Sequence, residues 1–521
     1  MSKMRERLEE LERRRAALRA MGGEERVAAH HERGKLTARE RMALLFDGGD
    51  YFEVGAHGTE MGAGASPAPV PADGVVCGWG LVRGRHVAAA AYDFTVKGGS
   101  IGFTGETKVT RLRELALRCR MPMVWLVDSA GARIDPRAGG DPDRLSLFAG
   151  TGHLFREQVI MSGVVPQVAA MVGPGAAGTA YIPGLADFVP MVRGKSSMAL
   201  GGPPLVKAAT GEEVTEEDLG GSRVHCEVSG VGDLEVDDDR ACIEVVIDYL
   251  SYMPQHSGEH PPVAACGDPI DRRDEALLDL LPDNPRGAYD MYKLVRAVVD
   301  DGRTLDLKPR WARSIITCLA RLGGYPVGVV ASNPGQLGGV LTGDAADKAA
   351  HFIQICDAFG LPLVFLMDVP GFMVGSKVEH GGIIRHGAKM LHVMAAATVP
   401  KLTVVIRRGY GAGYYVMAGR AFEPDLLVAW PGAEVSVMGA DGMVGIAGRK
   451  LFGGVEPAPE VRRQVTDAIQ KHIDIYKVAG WGLIDDVIDP RDTRPVLCRA
   501  VAMSWGRTTE RPPRKRGIIP V

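Results

Sequence analysis

No stretch of this sequence reaches about 18 consecutive apolar residues without a charge, which excludes a membrane-spanning helix. The opening residues, MSKMRERLEELERRR, also lack the apolar core of a secretion signal. The expectation is a soluble, cytoplasmic protein with no membrane partner. Charge of one sign is equally scarce: 61 Lys and Arg stand against 64 Asp and Glu, a net charge of −3. Without a basic excess there is no reason to expect a nucleic-acid partner. The eight cysteines, Cys77, Cys119, Cys226, Cys242, Cys266, Cys318, Cys356 and Cys498, include no pair at C-x-x-C spacing. That excludes a zinc ribbon and leaves buried thiols as the better reading. Neither GxxxxGK[ST] nor a strand–GxGxxG–helix with a following acid is present to favour a nucleotide site.

What is present is a chain of 521 residues, 46% apolar and 24% charged, long enough for two domains or more. Its 67 glycines and 33 prolines gather at the ends of apolar runs rather than in low-complexity tracts. Residues 4–20 carry alternating charge with Leu8, Leu11 and Leu18 at helical spacing, the pattern of a surface or packing helix. From residue 75 short apolar runs (86–96, 121–129 and 166–173) alternate with helical segments such as 105–120, so an α/β layered fold is expected.

The rhythm occurs twice. MPMVWLVDSAG at 121–131 is similar to LPLVFLMDVPG at 361–371, an offset of 240 residues; PQVAAMVGPGAAGTAY from 166 is similar to PKLTVVIRRGYGAGYY from 400, an offset of 234. Two copies of one α/β unit explain this most economically. The polar, Pro-rich PQHSGEHPPV (254–263) suits a linker, giving domains of 1–260 and 261–521.

In each copy a strand ends in a glycine-rich turn that opens a helix, GPGAAGTAY (173–181) and GYGAGYYVM (409–417). Small residues let a substrate approach the main chain, and the first free N–H groups of a helix attract an oxyanion. Side chains are less telling. Asp128 and Asp368 end their strands symmetrically and read first as turn or capping acids. Ser129 in DSAGAR is not a hydrolase elbow, and His380, His386 and His392 stand at six-residue steps that do not share a helix face well, which argues against a metal site. Duplicated backbone donors without a placed acid or base point to stabilisation of two developing oxyanions, as in enolate chemistry on a thioester.

Longer strings carry a family resemblance: HERGKLTARERMALLFD (31–47), DFTVKGGSIG (93–102), DSAGARI (128–134), TGEEVTEEDLGG (210–221), DVPGF (368–372), GGIIRHGAKML (381–391), ATVPKLTVVIRRGYGAGYYVM (397–417), WPGAEVSVMGADGMVGI (430–446) and KRGIIPV (515–521). Over nearly its whole length the chain resembles the carboxyltransferase β subunits of biotin-dependent acyl-CoA carboxylases, of the propionyl-CoA carboxylase type. The resemblance implies two crotonase-like β-β-α superhelical domains, the first on the acyl-CoA side and the second on the biotin side. It implies transfer of carboxyl from carboxybiotin, borne by a separate carrier, to a short acyl-CoA, propionyl-CoA or acetyl-CoA first, giving methylmalonyl- or malonyl-CoA. Biotin's ureido group would serve as the base, and no metal is expected in this chain. Ala177 and Gly178 would hold the thioester oxygen and Ala412 and Gly413 the ureido oxygen, with Gly131 and Phe372 contributing a second donor to each hole. Tyr415, Gly98 and Gly99 would line the substrate, and Arg33, Lys35 and Arg39 would meet the 3′-phosphorylated adenosine of coenzyme A. A hexamer of three dimers is implied, with sites shared between chains.

The sequence departs from the family's GPCAGGAVY at Ala177, where the first glycine of the pair stands, and from YGGAYDVM at Tyr415, where an acidic residue stands. GAGxYxMxGRAxxP is also similar to the 3-methylcrotonyl and geranyl branch. No A-M-K-M-type biotinylation sequence and no ATP-binding loop is found, so a biotin carboxylase and a carrier are the implied partners. Open alternatives are the carboxyltransferase subunit of a decarboxylase or transcarboxylase, a biotin-free hydratase or isomerase, and a silent assembly partner of a paralogue.

Overall fold

The computed structural model describes residues 3–60, 70–133, 152–285, 287–451, 458–507, 509–513, 515 and 517–520. The chain divides into two compact units, Met1–Glu259 and His260–Val521.

Unit 1 is built on eight strands: β1 (Tyr51–Glu53), β2 (Val75–Val82), β3 (Arg85–Tyr92), β4 (Met123–Ser129), β5 (Gln167–Ala176), β6 (Pro190–Val192), β7 (Ser197–Ala199) and β8 (Leu234–Val236). They run in the order β1-β2-β3-β4-β5-β6-β8, with β7 on the end of β5. β1–β3 pair antiparallel and β3 onward pair parallel. Every residue of β4 is buried, the continuous apolar run of a parallel strand covered on both faces. Trp125 and Val127 of β4 pack with Ala88 and Ala90 of β3, Ala169 and Met171 of β5, and Leu112 and Ala116 of the helix Phe103–Arg118. Ala88 and Ala90 are the narrow side of this core, and Ala89 and Ala91 are buried on the opposite face of the strand, all four at 0% exposure.

Unit 2 repeats the plan strand for strand: β9 (Leu305–Leu307), β10 (Ile315–Leu322), β11 (Tyr325–Ser332), β12 (Leu363–Val369), β13 (Lys401–Tyr410), β14 (Leu426–Ala429), β15 (Glu434–Ser436) and β16 (Asp486–Val487). The order is β16-β14-β13-β12-β11-β10-β9 with β15 on the end of β13. The helix Gly343–Ala358 takes the place of Phe103–Arg118, and Thr342 caps it by accepting from the Ala345 N–H. The doubled α/β fold read from the 240- and 234-residue offsets is what forms.

In both sheets the register slips one residue before the end of the fourth strand of the repeat, between Val127 and Ser129 and between Met367 and Val369. The two extra residues lie on β5 and β13, opposite an aspartate of the partner strand, Asp128 or Asp368. After the slip Ser129 pairs with Gly175 and Val369 with Gly409, which fixes the equivalence of the two glycine-rich turns.

Candidate active site

The two strand-end aspartates are not helix caps. Both are 0% exposed and neutralised by cations, so the capping expectation is corrected: each carboxylate lies inside the fold, where an ion pair must meet it. Asp128 Oδ1 accepts from Lys35 Nζ at 2.7 Å and Oδ2 from Arg41 at 2.9 Å, with His30 Nε2 3.6 Å away. Arg41 also bonds Asp239 at 2.8 Å and the Val172 carbonyl at 3.2 Å. Burial works against the charge on Arg41, but Asp128 and Asp239 outweigh it and raise its pKa. Burial lowers the pKa of Lys35 and of His30 despite Asp128 beside them.

In unit 2 the cations come from the neighbouring strand. Arg407 donates to Asp368 Oδ2 at 3.0 Å, Arg408 Nε to Oδ1 at 2.7 Å, and the Tyr289 hydroxyl to Oδ2 at 2.9 Å. Burial and the facing carboxylate push the Tyr289 phenol far above its ordinary pKa. Sequence reasoning missed this cluster, although two adjacent arginines inside the apolar strand KLTVVIRRGY were a readable sign of a buried anion opposite.

These clusters pin the strand ends beneath the turns. In unit 1, β5 gives way to a 3₁₀ turn, Ala177–Ala180; in unit 2, β13 gives way to the helix Gly411–Val416. The register makes Ala177 equivalent to Gly411, and both are left-handed, φ 51° and 54°. Gly178 then corresponds to Ala412 and Thr179 to Gly413. Ala177 and Ala412 are exposed, Gly178 is half-buried, and Gly413 is buried with Val369 2.8 Å from where a Cβ would stand. The expected pairs Ala177/Gly178 and Ala412/Gly413 therefore sit one residue out of step. Amides in the first turn of a helix lack an i−4 carbonyl, and neither Ala176 nor Tyr410 caps its turn with a side chain.

Gly131 lies against the unit 1 turn, with Ala176 O 2.6 Å from its Cβ direction, but its N–H donates to Ser129 Oγ at 3.1 Å. That amide is spent inside the protein, so the expectation of a donor there is corrected. Phe372 bridges Leu341, and the equivalent bridge in unit 1 joins Ile101 to Ala132. Ala132, not Gly131, is thus the register partner of Phe372. Gly98 and Gly99 are framework: the Gly98 carbonyl accepts from Ala130 N, the Gly99 carbonyl accepts from Ser129 Oγ, and a Cβ on Gly99 would stand 2.3 Å from the Asp128 carbonyl.

Of the three cations expected at coenzyme A, Lys35 is engaged by Asp128, and Arg39 forks onto Glu53 at 2.7 and 3.1 Å. Arg33 is the one of the three with its side chain exposed. Tyr415 is 48% exposed, its ring 6.2 Å from that of Phe422. His386 bonds Asp347 at 2.8 Å, and among the described residues no three His, Cys, Asp or Glu side chains gather as metal ligands. Six cysteines are buried and Cys119 and Cys266 are exposed; none of the eight is in a disulfide. No described helix is long and apolar enough to cross a membrane.

Residues 29–519 match the carboxyl transferase domain family. The chain is 40% identical to methylmalonyl-CoA decarboxylase subunit alpha of Veillonella parvula, over 100% of both chains. It is 39% identical to the propionyl-CoA carboxylase beta chain of Roseobacter denitrificans, over 99% of this chain and 100% of that one. Among solved structures it resembles the transcarboxylase 12S hexamer core with methylmalonyl-coenzyme A bound, with a TM-score of 0.93, 40% identity and full coverage of both chains. The doubled crotonase-like fold is common to these relatives.

Proposed function

The chain belongs to the carboxyl transferase family as a biotin-dependent acyl-CoA carboxyltransferase component, and from that premise we infer that its two units divide the reaction between two main-chain amide sites. The observation that carries this reading is the duplicated turn, set on the same strand end in both sheets. In unit 1 the amides of Ala177 and Gly178 hold the thioester oxygen as enolate charge builds. In unit 2 the amides of Gly411, Ala412 and Gly413, with that of Phe372, hold the ureido oxygen of biotin. An acceptor oxygen fits both places, because donors there have no capping side chain.

When bound, carboxybiotin on its carrier supplies the carboxyl group and the base. The chain's own part is to orient, to exclude water and to stabilise charge. No carboxylate of the two clusters competes for the proton, since Asp128 and Asp368 are buried and held by cations. Arg33 meets the adenosine phosphate of coenzyme A, and Tyr415 with Phe422 limits the acyl chain.

Propionyl-CoA and methylmalonyl-CoA are the favoured pair, because the relatives named for their substrates act on these thioesters. Those relatives also include a decarboxylase, which favours a second reading in which the same site works in reverse. The partners are a biotin carboxylase and a biotinylated carrier. The assembly is a hexamer like that of transcarboxylase 12S, the sites of this chain are shared between protomers, and the compartment is the cytoplasm. The test is carboxyl transfer from carboxylated carrier to a panel of C2–C10 acyl-CoAs. Propionyl-CoA is expected to react best, with one methylene worth about 10–200-fold. Preference for 3-methylcrotonyl- or geranyl-CoA would move the chain to that branch. Inactivity across the panel with coenzyme A binding retained would show a silent assembly partner.

A further inference from the structure

The turn of unit 2 carries an attachment that the turn of unit 1 does not. Tyr410 ends β13 immediately before Gly411, and the Tyr410 hydroxyl donates to Oε2 of Glu434 on β15. Oε1 of the same carboxylate accepts from Gln470 Nε2 at 2.6 Å, and Gln470 is the last residue of the helix Pro459–Gln470. Tyr410 is 8% exposed, and its ring lies 3.2 Å from where a Cβ on Gly439 would stand. Register identifies the unit 1 equivalents: Tyr410 pairs with Ser436 as Ala176 pairs with Ala199, and Arg408 with Glu434 as Pro174 with Ser197. Ala176 and Ser197 therefore stand where unit 2 has Tyr410 and Glu434.

Unit 1 closes the same strand arrangement with an alanine and a serine at these positions, so this strand end does not need the tyrosine–carboxylate–amide chain to form. Drawing a carboxylate into a partly buried network has a desolvation cost. What the chain adds is a fixed anchor on the residue that precedes the three amides. A donor site acts on developing charge only when held within about 0.5 Å of the working geometry.

We propose that Glu434, acting through Tyr410 and braced by Gln470, is a positioning residue that holds the Gly411–Gly413 amides in aim at the biotin oxygen. This rests on the assignment of unit 2 to the biotin side. It makes the biotin-side turn the rigid one, and it ties its geometry to a helix at some distance in sequence.

The test uses the full chain and the variants Glu434→Ala, Glu434→Gln and Tyr410→Phe, with two independent readouts. The first is amide hydrogen exchange in 409–417, with 173–181 of the same molecule as internal reference and no biotin present. Exchange in 409–417 is expected to quicken by roughly tenfold in Glu434→Ala and Tyr410→Phe, and not in 173–181. The second is transfer kinetics with biotinylated carrier and propionyl-CoA. Turnover is expected to fall by about 10–100-fold, with affinity for propionyl-CoA and hexamer content unchanged. The double variant combining Tyr410→Phe with Glu434→Ala is expected to be no worse than the worse single one, and Glu434→Gln, which keeps an acceptor for the tyrosine, to retain most of the activity. Unchanged exchange, equal loss of acyl-CoA affinity and turnover, or a Gln variant as impaired as Ala would overturn the positioning role. Absence of carboxyl transfer by the unaltered chain would instead overturn the functional assignment, and the positioning role with it.

Discussion

Asp128 and Asp368 stand at the same strand end in two copies of one sheet, yet they are neutralised from different parts of the chain. In unit 1 the cations, Lys35 and Arg41, arrive from a segment about 90 residues earlier, and Gly173 leaves room for them. A Cβ on Gly173 would stand 1.9 Å from Asp128 Oδ1 and 2.7 Å from Lys35 Nζ. In unit 2 the position equivalent to Gly173 is Arg407 itself, which fills that space and, with Arg408, supplies the charge from within β13. The difference teaches that the fold requires a satisfied carboxylate at this strand end and is indifferent to the sequence address of its partner. The aromatic beside each cluster follows the same rule: Phe94 lies 5.1 Å from Lys35 Nζ, and Tyr289 lies 5.0 Å from the Arg407 guanidinium.

The strongest way to break the comparison is to remove the carboxylate. Asp128→Ala strands the buried Lys35 and Arg41 and Asp368→Ala the buried Arg407 and half-buried Arg408, and each is expected to cost about 3–5 kcal/mol, read from denaturant midpoints. Exchange should rise first in the unit that was altered; a uniform loss across both units would deny that each cluster serves its own sheet.

A second contrast lies at the other end of the strands. Asp187 takes the Gln167 N–H at 2.7 Å, as Asp425 takes that of Lys401 at 2.9 Å, but only Asp425 is met by an arginine, Arg507 at 2.7 Å. Burial, with Asp233 nearby, pushes Asp187 up to about 7. A carboxyl whose folded pKa is raised stabilises below its unfolded value and loses that contribution as pH rises through the folded one, here between about 4 and 7. Asp187→Asn is therefore expected to be more stable than the unaltered chain at pH 8 by about 2–4 kcal/mol, with the gain vanishing near pH 4. A melting series against pH checks it, and an equal gain at every pH would contradict it.

Smaller effects separate the two turns. Gly413→Ala forces a methyl against Val369 and is expected to destabilise by about 1–3 kcal/mol. Gly178→Ala meets only the Phe155 ring at 3.4 Å and is expected to fold normally while slowing transfer. Calorimetry beside an acyl-CoA assay distinguishes them. Smallest is Ala177→Gly, which relieves a left-handed alanine at φ 51° and is expected to stabilise by about 1 kcal/mol or less, read as a melting shift.

The doubled α/β plan was legible because parallel strands leave long apolar runs, and two such sets recur at nearly constant offset. The turns were legible as glycine clusters, but their register was not. A two-residue register shift opposite Asp128 or Asp368 leaves no mark in composition, and the sequence sets Ala412 and Gly413 opposite Ala177 and Gly178 where the strand pairing sets Gly411 and Ala412. Lys35 and Arg39 are expected at coenzyme A from the resemblance because local spacing cannot show a carboxylate that the fold brings back from Asp128 or Glu53. Aspartate followed by a glycine turn reads locally as a cap, and only the packed sheet shows it as the centre of an ion cluster.

The most direct measurement is a structure of the chain with propionyl-CoA bound. The thioester oxygen should lie about 2.7–3.1 Å from the amide nitrogens of Ala177 and Gly178. A thioester oxygen held by a side chain, or seated on the Gly411–Gly413 turn, would contradict the division of labour between the two units.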